Sequence, residues 1–228
     1  MSRLAHVALL EDLPINLAPF EARCHWRRFE PEEVLVDFDD MTTDVYFLLA
    51  GDVRVLMRTA SGKEVILDEM RAGELFGELA AMDGISRSAN VTALTRGEVG
   101  VMPASVFRDL VFSSKDVADR LFRLLTARVR ELNARLVEQT VLDLRHRLYS
   151  ELLRLSVPRQ NGASERVVTP PPFHHDLAAR IGCRREQVTR EFTMLTQEGL
   201  IERTRGALIL RRPDVLQARV ADAMREDA

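Results

Sequence analysis

The sequence has few cysteines, the residues that cross-link secreted proteins, and it lacks the long apolar runs that span membranes. Among its 228 residues the only two cysteines are Cys24 and Cys183, which lie far apart and without the spacing of metal ligands. This excludes a disulfide framework and agrees with a reducing compartment. No apolar run is long enough to cross a bilayer, and residues 1–10 lack the features of a signal peptide. We therefore expect a cytoplasmic protein without membrane association.

The sequence also lacks a large excess of either charge, but its two halves differ in sign. The net charge is −3 over the whole chain. Residues 1–112 carry 11 basic and 19 acidic side chains, whereas residues 113–228 carry 21 basic and 16 acidic ones. The basic second half indicates a polyanionic partner. Chance variation in the charges of solvated faces would give the same asymmetry. The sequence motifs therefore have to distinguish a polyanionic partner from chance.

Short apolar runs separated by turn residues fill the first half of the chain, between Glu33 and Met102. They are rich in β-branched and aromatic residues, and glycine follows several of them. This pattern predicts an antiparallel barrel or sandwich. We assign it to a first domain, residues 1–112.

Glycine is absent between Pro103 and Leu155, where the sequence predicts helices. Pro103 favours a helix start, and Ser113 and Ser114 favour a break before a second, longer helix. The apolar residues of that helix recur at intervals of three and four, at Phe122, Leu125, Val129, Leu132 and Leu136. Such a narrow seam is typical of a coiled coil, and we expect residues 113–140 to form a parallel homodimer. The alternative is an ordinary amphipathic helix packed on its own domain.

The last part of the chain, residues 141–228, has the pattern of a helix-turn-helix unit. A linker precedes the motif; it contains Asn161 and Gly162 and one predicted short strand, residues 166–168. Within the motif, small Ala178 permits close helix approach, and Gly182 provides the positive φ that the tight turn requires. Val188 fills the space between the helices. The predicted apolar faces are completed by Leu177, Ile181, Phe192 and Leu195.

The second helix of this motif exposes a set of side chains suited to base recognition. Arg185, Glu186, Thr189 and Arg190 share one face near the helix N-terminus, the end that enters the major groove. Arginine bonds guanine O6 and N7, and glutamate accepts from cytosine N4. The alternative for Glu186 is a first-turn position favoured by the helix dipole. The flanking arginines favour base recognition.

Further basic residues surround the motif. Four arginines bracket Gly206 in a predicted β-hairpin wing and suit phosphate contacts, although a solvated basic edge explains any one of them nearly as well: Arg203, Arg205, Arg211 and Arg212. His174, His175 and Asp176 hint at a metal, but adjacent residues do not share a helix face. We therefore predict a helix-start and phosphate-contact role for His174, and no metal site. The predicted DNA-binding set is His174, Arg184, Arg185, Glu186, Thr189, Arg190 and Arg205.

The segment from Phe76 to Ala89 combines groups that suit a sugar phosphate. A short helix begins at Gly77 and Glu78, where free backbone N–H groups favour an anion. Arg87 offers a planar fork for a phosphate, and Ser88 adds a hydroxyl donor. Glu78 accepts a hydrogen bond from a ribose hydroxyl. The alternative is that Glu78 and Arg87 form a buried ion pair with each other.

With these motifs the sequence resembles the cyclic-AMP receptor protein (Crp/Fnr) family of bacterial regulators, from about residue 13 to residue 212. The resemblance rests on the 77–89 cassette, the long helix, the 141–144 hinge segment and the 185–190 motif. It implies an α+β fold: an N-terminal cyclic-nucleotide-binding β-roll (jelly-roll-like), a long dimerisation helix and a C-terminal winged helix-turn-helix. It further implies a TGTGA-like palindromic operator that Arg185, Glu186 and Arg190 recognise.

By the same resemblance Glu78 binds the ribose, whereas Arg87 and Ser88 bind the cyclic phosphate. The family's base-contacting Thr-Ser pair is replaced here by Leu132 and Asn133. Because an amide both donates and accepts, either cyclic AMP or cyclic GMP fits. The expected effector site comprises Phe76, Gly77, Glu78, Leu79, Arg87, Ser88, Ala89, Arg128 and Asn133. A family glycine is Asp39 here, and aspartate tolerates the left-handed conformation.

The sequence therefore predicts a homodimeric, cyclic-nucleotide-responsive transcription regulator. Its expected partners are double-stranded DNA, RNA polymerase and a second copy of the chain, with no cofactor beyond the effector. We find no catalytic triad, metal cluster or Walker loop, so we do not expect an enzyme. Two alternatives remain: a family regulator that does not need a cyclic nucleotide, and a cyclic-nucleotide-binding regulatory subunit without DNA binding.

Overall fold

The computed structural model of the chain describes residues 2–59, 62–160 and 164–226. The chain divides into two compact units, Met1–Val129 and Arg130–Ala228, and the division falls within one long helix. Each unit has a buried apolar core of its own. Two residues of the predicted linker, Asn161 and Gly162, lie outside the described residues.

Antiparallel strands dominate the first unit. They are β1 His25–Phe29, β2 Val34–Val36, β3 Val45–Ala50, β4 Asp52–Arg58, β5 Glu64–Arg71, β6 Leu75–Phe76, β7 Asn90–Ala93 and β8 Gly97–Met102. One sheet has the order β1-β8-β3-β6 and the other β2-β7-β4-β5. Side chains from both sheets, such as Leu48 and Val53, meet in one buried cluster. The predicted antiparallel β-roll is confirmed, and β1 is an addition that lies before the predicted runs.

Helices cover the outer face of the first sheet. After a short 3-10 helix, Arg3–His6, they are α1 Ala18–Glu21, α2 Glu78–Asp83, α3 Ala104–Ser113 and α4 Lys115–Val141. Alternate side chains of β3 point to opposite faces, so Phe47 joins the helical core with Phe107 and Leu110, whereas Leu48 enters the core of the roll. Pro103 directly precedes α3, and extended Ser114 makes the predicted break before α4.

The second unit contains the rest of α4, four further helices and a small sheet in the part that the structure describes. These elements are α5 Leu144–Leu155, β9 Val157–Pro158, β10 Arg166–Val168, α6 His174–Ile181, α7 Arg185–Gln197, β11 Ile201–Arg203, β12 Leu208–Leu210 and α8 Pro213–Glu226. The sheet order is β11-β12-β10-β9. The predicted strand at 166–168 and the hairpin around Gly206 are confirmed. Helix α8 was not predicted, and its Leu216 is fully buried in the core of this unit.

Helix α4 is 27 residues long and exposes a row of apolar side chains. Phe122 is 69% exposed, Val129 56%, Leu132 56% and Leu136 66%, and these are four of the five predicted seam positions. In the described part of the chain, no helix is both long and apolar enough to cross a membrane.

Candidate effector and DNA-binding sites

The cassette begins where β6 turns into α2, and Gly77 makes that turn. Gly77 has φ +86, a left-handed conformation. A Cβ atom there would lie 2.7 Å from the Asp44 carbonyl oxygen and 2.8 Å from Arg87 Nη1. Position 77 therefore requires glycine both for its backbone angle and for the close approach of the arginine.

Arg87 is buried, with 2% of its surface exposed, and it bonds to neutral oxygen atoms. Its Nε donates to Thr42 Oγ1 at 3.1 Å, Nη1 to the Gly77 carbonyl at 3.2 Å and Nη2 to the Asp44 carbonyl at 2.9 Å. Among the described residues, no carboxylate forms an ion pair with this guanidinium. A buried charge without a counter-charge is costly, and an anion that reached it would be strongly favoured.

The loop between β2 and β3 binds the backbone of Arg87 through hydrogen bonds. The Asp39 N–H donates to the Arg87 carbonyl at 3.0 Å, and the Arg87 N–H donates to the Asp40 carbonyl at 2.9 Å. Ser86 Oγ donates to Asp39 Oδ1 at 2.9 Å. Asp39 has φ +65, as its replacement of a glycine led us to expect. The loop and the cassette thus form one hydrogen-bonded layer.

Glu78 is also buried, with 3% of its surface exposed, and its partner is Arg128 on α4. Arg128 donates from Nη1 to Glu78 Oε1 at 2.5 Å and from Nη2 to the Leu75 carbonyl at 3.1 Å. The alternative pairing of Glu78 with Arg87 is therefore not present. The cassette instead joins α2 to α4 through a salt bridge that local sequence patterns did not indicate.

The other predicted effector residues differ in exposure. Phe76 and Ala89 are buried, whereas Leu79, Ser88 and Asn133 are exposed. The Phe76 ring stacks on Tyr46, with 4.9 Å between the ring centroids. Asn133 belongs to the second unit.

Sequence reasoning missed three residues of this site: Thr42, Asp44 and Tyr46. They come from the loop before β3 and from β3 itself, more than 30 positions before the cassette, so no local spacing connects them with it.

In the second unit, α6 and α7 form the predicted helix-turn-helix. Gly182 ends α6 with φ +72, so the expected left-handed turn is confirmed. Ala178 and Val188 are buried between the two helices. Arg145 on α5 donates from Nε to Glu191 Oε2 on α7 at 3.0 Å, which fixes the second helix to its support.

The predicted DNA-binding residues of the second helix lie at the N-cap and on the open face of α7. Arg184, Arg185, Glu186, Thr189 and Arg190 are all exposed. Within the described residues, the side chains of Arg185, Glu186 and Arg190 form no hydrogen bond or ion pair. Their donors and acceptors are therefore available to base edges or phosphates.

His174 packs between α6 and α7. Its Nδ1 lies 2.8 Å from Thr189 Oγ1, and its ring lies 4.5 Å from the Phe192 ring. The Thr189 hydroxyl donates in turn to the Arg185 carbonyl at 3.1 Å. Burial lowers the pKa of His174, and the positive charges of Arg203 and Arg185 lower it further. Its Nε2 is buried and has no hydrogen-bond partner among the described residues. In this conformation His174 thus braces the two helices.

The neighbouring His175 stacks on Phe173, and its Nε2 lies 3.4 Å from Asp176 Oδ1. No group of three or more metal-ligating side chains occurs within the part of the chain that the structure describes.

The wing arginines fall into two groups. Arg211 bonds to Glu165 and Glu202, and Arg212 lies 3.0 Å from Asp214. These carboxylates compete with phosphate for both side chains. Arg203 and Arg205 are exposed at the strand end and in the turn of the hairpin, so they are better placed for phosphate contacts.

An antiparallel β-roll with a buried arginine cassette, followed along the chain by a winged helix-turn-helix, is the architecture of a DNA-binding regulator with a ligand-binding domain. Residues 26–114 match the cyclic nucleotide-binding domain, and residues 146–219 match the Crp-like helix-turn-helix domain. The chain belongs to the Crp/Fnr family of transcription regulators, which are DNA-binding proteins and not enzymes.

Individual relatives agree with this assignment. The chain is 27% identical over 188 residues to the cAMP-activated global transcriptional regulator CRP of Salmonella typhimurium, covering 80% of this chain and 87% of the relative. A CooA mutant from Carboxydothermus hydrogenoformans has a similar structure, with TM-score 0.78, 16% identity, and coverage of 93% and 94%. The c-di-GMP responsive regulator CLP of Xanthomonas campestris gives TM-score 0.70, 19% identity, and coverage of 83% and 94%.

Proposed function

We propose that this chain is a homodimeric transcription regulator whose DNA binding responds to cyclic AMP or cyclic GMP bound at the cassette. The observation that carries the proposal is the buried, uncompensated guanidinium of Arg87. A cyclic phosphate supplies the single negative charge that this group lacks. Ser88, which is exposed beside it, supplies a hydroxyl donor to the same phosphate.

Glu78 supports the sugar half of this proposal. Arg128 occupies its Oε1, which leaves Oε2 as the acceptor for a ribose hydroxyl. The salt bridge also holds the Glu78 side chain in one position before the ligand arrives. The base is expected to meet Asn133, whose exposed amide can pair with adenine or guanine.

Relatives of this chain differ in their effectors. The CRP relative is described as cAMP-activated, whereas the structurally similar CLP is described as responsive to c-di-GMP. CLP is only 19% identical and therefore supports the fold alone. The presence of both Glu78 and Arg87 favours a cyclic mononucleotide. A family regulator without a cyclic nucleotide is the competing outcome of the effector experiment below.

For the DNA half, we expect a TGTGA-like palindrome whose half-sites lie about one helical turn, roughly 34 Å, apart. Arg185 and Arg190 suit guanines, and Glu186 suits cytosine N4. We expect Thr189 to face the major groove beside them, and Arg184, Arg205 and His174 to contact phosphates; His174 must first rotate to expose its buried Nε2. RNA polymerase is the further expected partner.

Calorimetry with cyclic AMP and, separately, cyclic GMP tests the effector. We expect saturable binding of one of the two nucleotides. Arg87→Met should weaken it by about 10- to 100-fold, because a charge-assisted bond to the phosphate is lost. The matched control is Arg58→Met, which breaks an exposed pair with Glu64 and should leave affinity unchanged. If wild-type protein binds neither nucleotide, the effector is of another kind. The proposed DNA-binding function does not depend on this result.

Fluorescence anisotropy with a labelled palindromic duplex tests the DNA half. Glu186→Gln should reduce discrimination at one base pair by about tenfold, whereas Arg205→Ala should weaken all sequences alike and lower the salt slope by about one. If wild-type protein shows no salt-dependent binding to any duplex, the alternative of a regulatory subunit without DNA binding is correct.

A further inference from the structure

The chain bends between α4 and α5, and a salt bridge crosses the bend. Helix α4 ends at Val141 and α5 begins at Leu144. Arg154, on α5, donates from Nη2 to both carboxylate oxygens of Glu138, on the last turn of α4, at 2.7 and 2.8 Å. The two residues are 16 positions apart in the sequence. Their contact brings the C-terminal end of α5 close to the C-terminal end of α4.

The same arginine continues into a buried charge network. Its Nη1 bonds to Glu151, whose side chain is only 3% exposed. Glu151 Oε1 lies 3.4 Å from Nη1 of Arg180, on α6, and the Arg180 side chain is 5% exposed. We call these four residues, Glu138, Arg154, Glu151 and Arg180, the clasp. It links the last turn of α4, helix α5 and the first helix of the DNA-binding motif.

A second contact crosses the bend beside the clasp. Arg147 Nη1, on α5, donates to Gln139 Oε1, on α4. The Gln139 Oε1 atom is also close to the turn of the helix-turn-helix, 3.6 Å from the position that a Cβ on Gly182 would take. Two arginines of α5 therefore hold one turn of α4 against the DNA-binding motif.

The clasp is better suited to fixing geometry than to adding stability. Buried charges lose hydration, and well-packed apolar residues often replace them without loss of stability. Burial alone would lower the pKa of Arg154, but its bonds to Glu138 and the charge of Glu151 raise that pKa above its ordinary value. Arg154 therefore remains charged, and the contact of its Nη2 with both carboxylate oxygens of Glu138 restricts the range of angles at the bend.

We propose that the clasp fixes the angle between α4 and the DNA-binding motif, with Arg154 as the positioning residue, so that a dimer accepts one half-site spacing. Leu132 and Leu136, on the exposed seam, lie within two turns of Glu138 on the same helix. A continuous set of contacts thus runs from the proposed dimer contact to α6, the first helix of the DNA-binding motif. This inference rests on the proposed palindrome-binding dimer and is independent of the effector.

The test compares two palindromic duplexes: one with half-sites at the natural separation, and one with two base pairs inserted between them. The insertion rotates one half-site by roughly 70° about the DNA axis. Wild-type protein should strongly prefer the natural separation. Arg154→Met should reduce this preference by about tenfold, because the freed bend adapts to the longer duplex and is less well ordered for the natural one. Affinity for a single half-site and the salt slope should not change, since Arg154 is engaged with Glu138 and Glu151 and does not belong to the predicted DNA-binding set.

Two further variants separate positioning from general damage. Glu138→Gln keeps the size of the side chain and removes its charge, so it should weaken the spacing preference even if Arg154→Met does not fold. Arg123→Met is the control, because its 2.7 Å bond to Asp119 lies wholly within α4 and does not cross the bend. An unchanged preference in folded Glu138→Gln and Arg154→Met overturns the inference. Failure of wild-type protein to bind any palindrome overturns the proposed function itself.

Discussion

Gly77 and Gly84 bound the same short helix, α2, and both have positive φ, +86 and +73. Their surroundings differ, because a Cβ on Gly77 would strike Asp44 and Arg87, whereas a Cβ on Gly84 would meet nothing within 4 Å. Backbone conformation explains both glycines, but only Gly77 is also required by the packing of the buried arginine.

We therefore predict that Gly84→Ala costs about 1–2 kcal/mol of stability, the strain of a left-handed alanine. Gly77→Ala should lower the free energy of unfolding by about 1–3 kcal/mol more than Gly84→Ala does, because the new methyl group displaces the Arg87 guanidinium or the Asp44 carbonyl. Urea unfolding of the two variants measures the difference. Equal losses would show that the cassette relaxes around the methyl group.

At the scale of elements, α5 owes its start to one side chain. Asp143 precedes the helix and accepts a hydrogen bond from the His146 N–H at 2.9 Å. Burial raises the pKa of Asp143, but the hydrogen bonds and charge of His146 lower it more, so its pKa lies below the ordinary value. The ionised side chain caps the helix and thereby fixes the point where the chain bends after α4.

Asp143→Ala should destabilise the second unit by about 0.5–2 kcal/mol, and Asp143→Asn, which keeps an acceptor, by less. Because the carboxyl pKa is lowered in the folded protein, its charge stabilises the fold above the ordinary pKa and ceases to do so as pH falls through the folded pKa. Denaturant unfolding at pH 7 and near pH 3 should thus show a smaller Asp143→Ala effect at the lower pH. The same loss at both pH values would contradict a role for the charge.

Several elements were predictable because their signals are local. The spacing of apolar residues and the positions of turn residues predicted the main strands of the β-roll and helices α3, α4, α6 and α7. Strand β1 and helix α8 were missed. Strand β1, His25–Phe29, carries two arginines that interrupt its apolar pattern, and it is defined by pairing with β8. Helix α8 is held by burial of Leu216 against a core whose members are distant in sequence.

At the scale of the whole molecule, the proposed homodimer depends on the exposed seam of α4. Four large apolar side chains of α4 are more than half exposed, which is costly unless another surface covers them. A parallel second copy matches their spacing. The same helix carries Arg128, which bonds to Glu78 of the cassette, and Glu138, which bonds to Arg154 of α5. The proposed dimer contact would therefore lie on the same element as these two salt bridges.

Leu136→Glu should therefore shift the protein to monomer, because two buried carboxylates would face each other in the seam. Affinity for a palindrome should fall by about 100-fold or more, since each monomer then binds one half-site alone. Sedimentation equilibrium and anisotropy give the two measurements. Ala134→Glu adds the same charge at an exposed position off the seam and should alter neither. A dimer that survives Leu136→Glu would place the interface elsewhere.

The sequence by itself determined the features whose parts lie within a few residues of one another. These are the left-handed turn at Gly182, the entry to α2 at Gly77 and the period of the α4 seam. Tertiary structure alone decided the partners of the charges: Arg128 for Glu78, 50 residues away, and Thr42 for Arg87, 45 residues away. The physical reason is that short-range geometry follows from backbone angles and period. A charged side chain, in contrast, can pair with any of many opposite charges or polar oxygens, and only the packing of the elements brings one of them within reach.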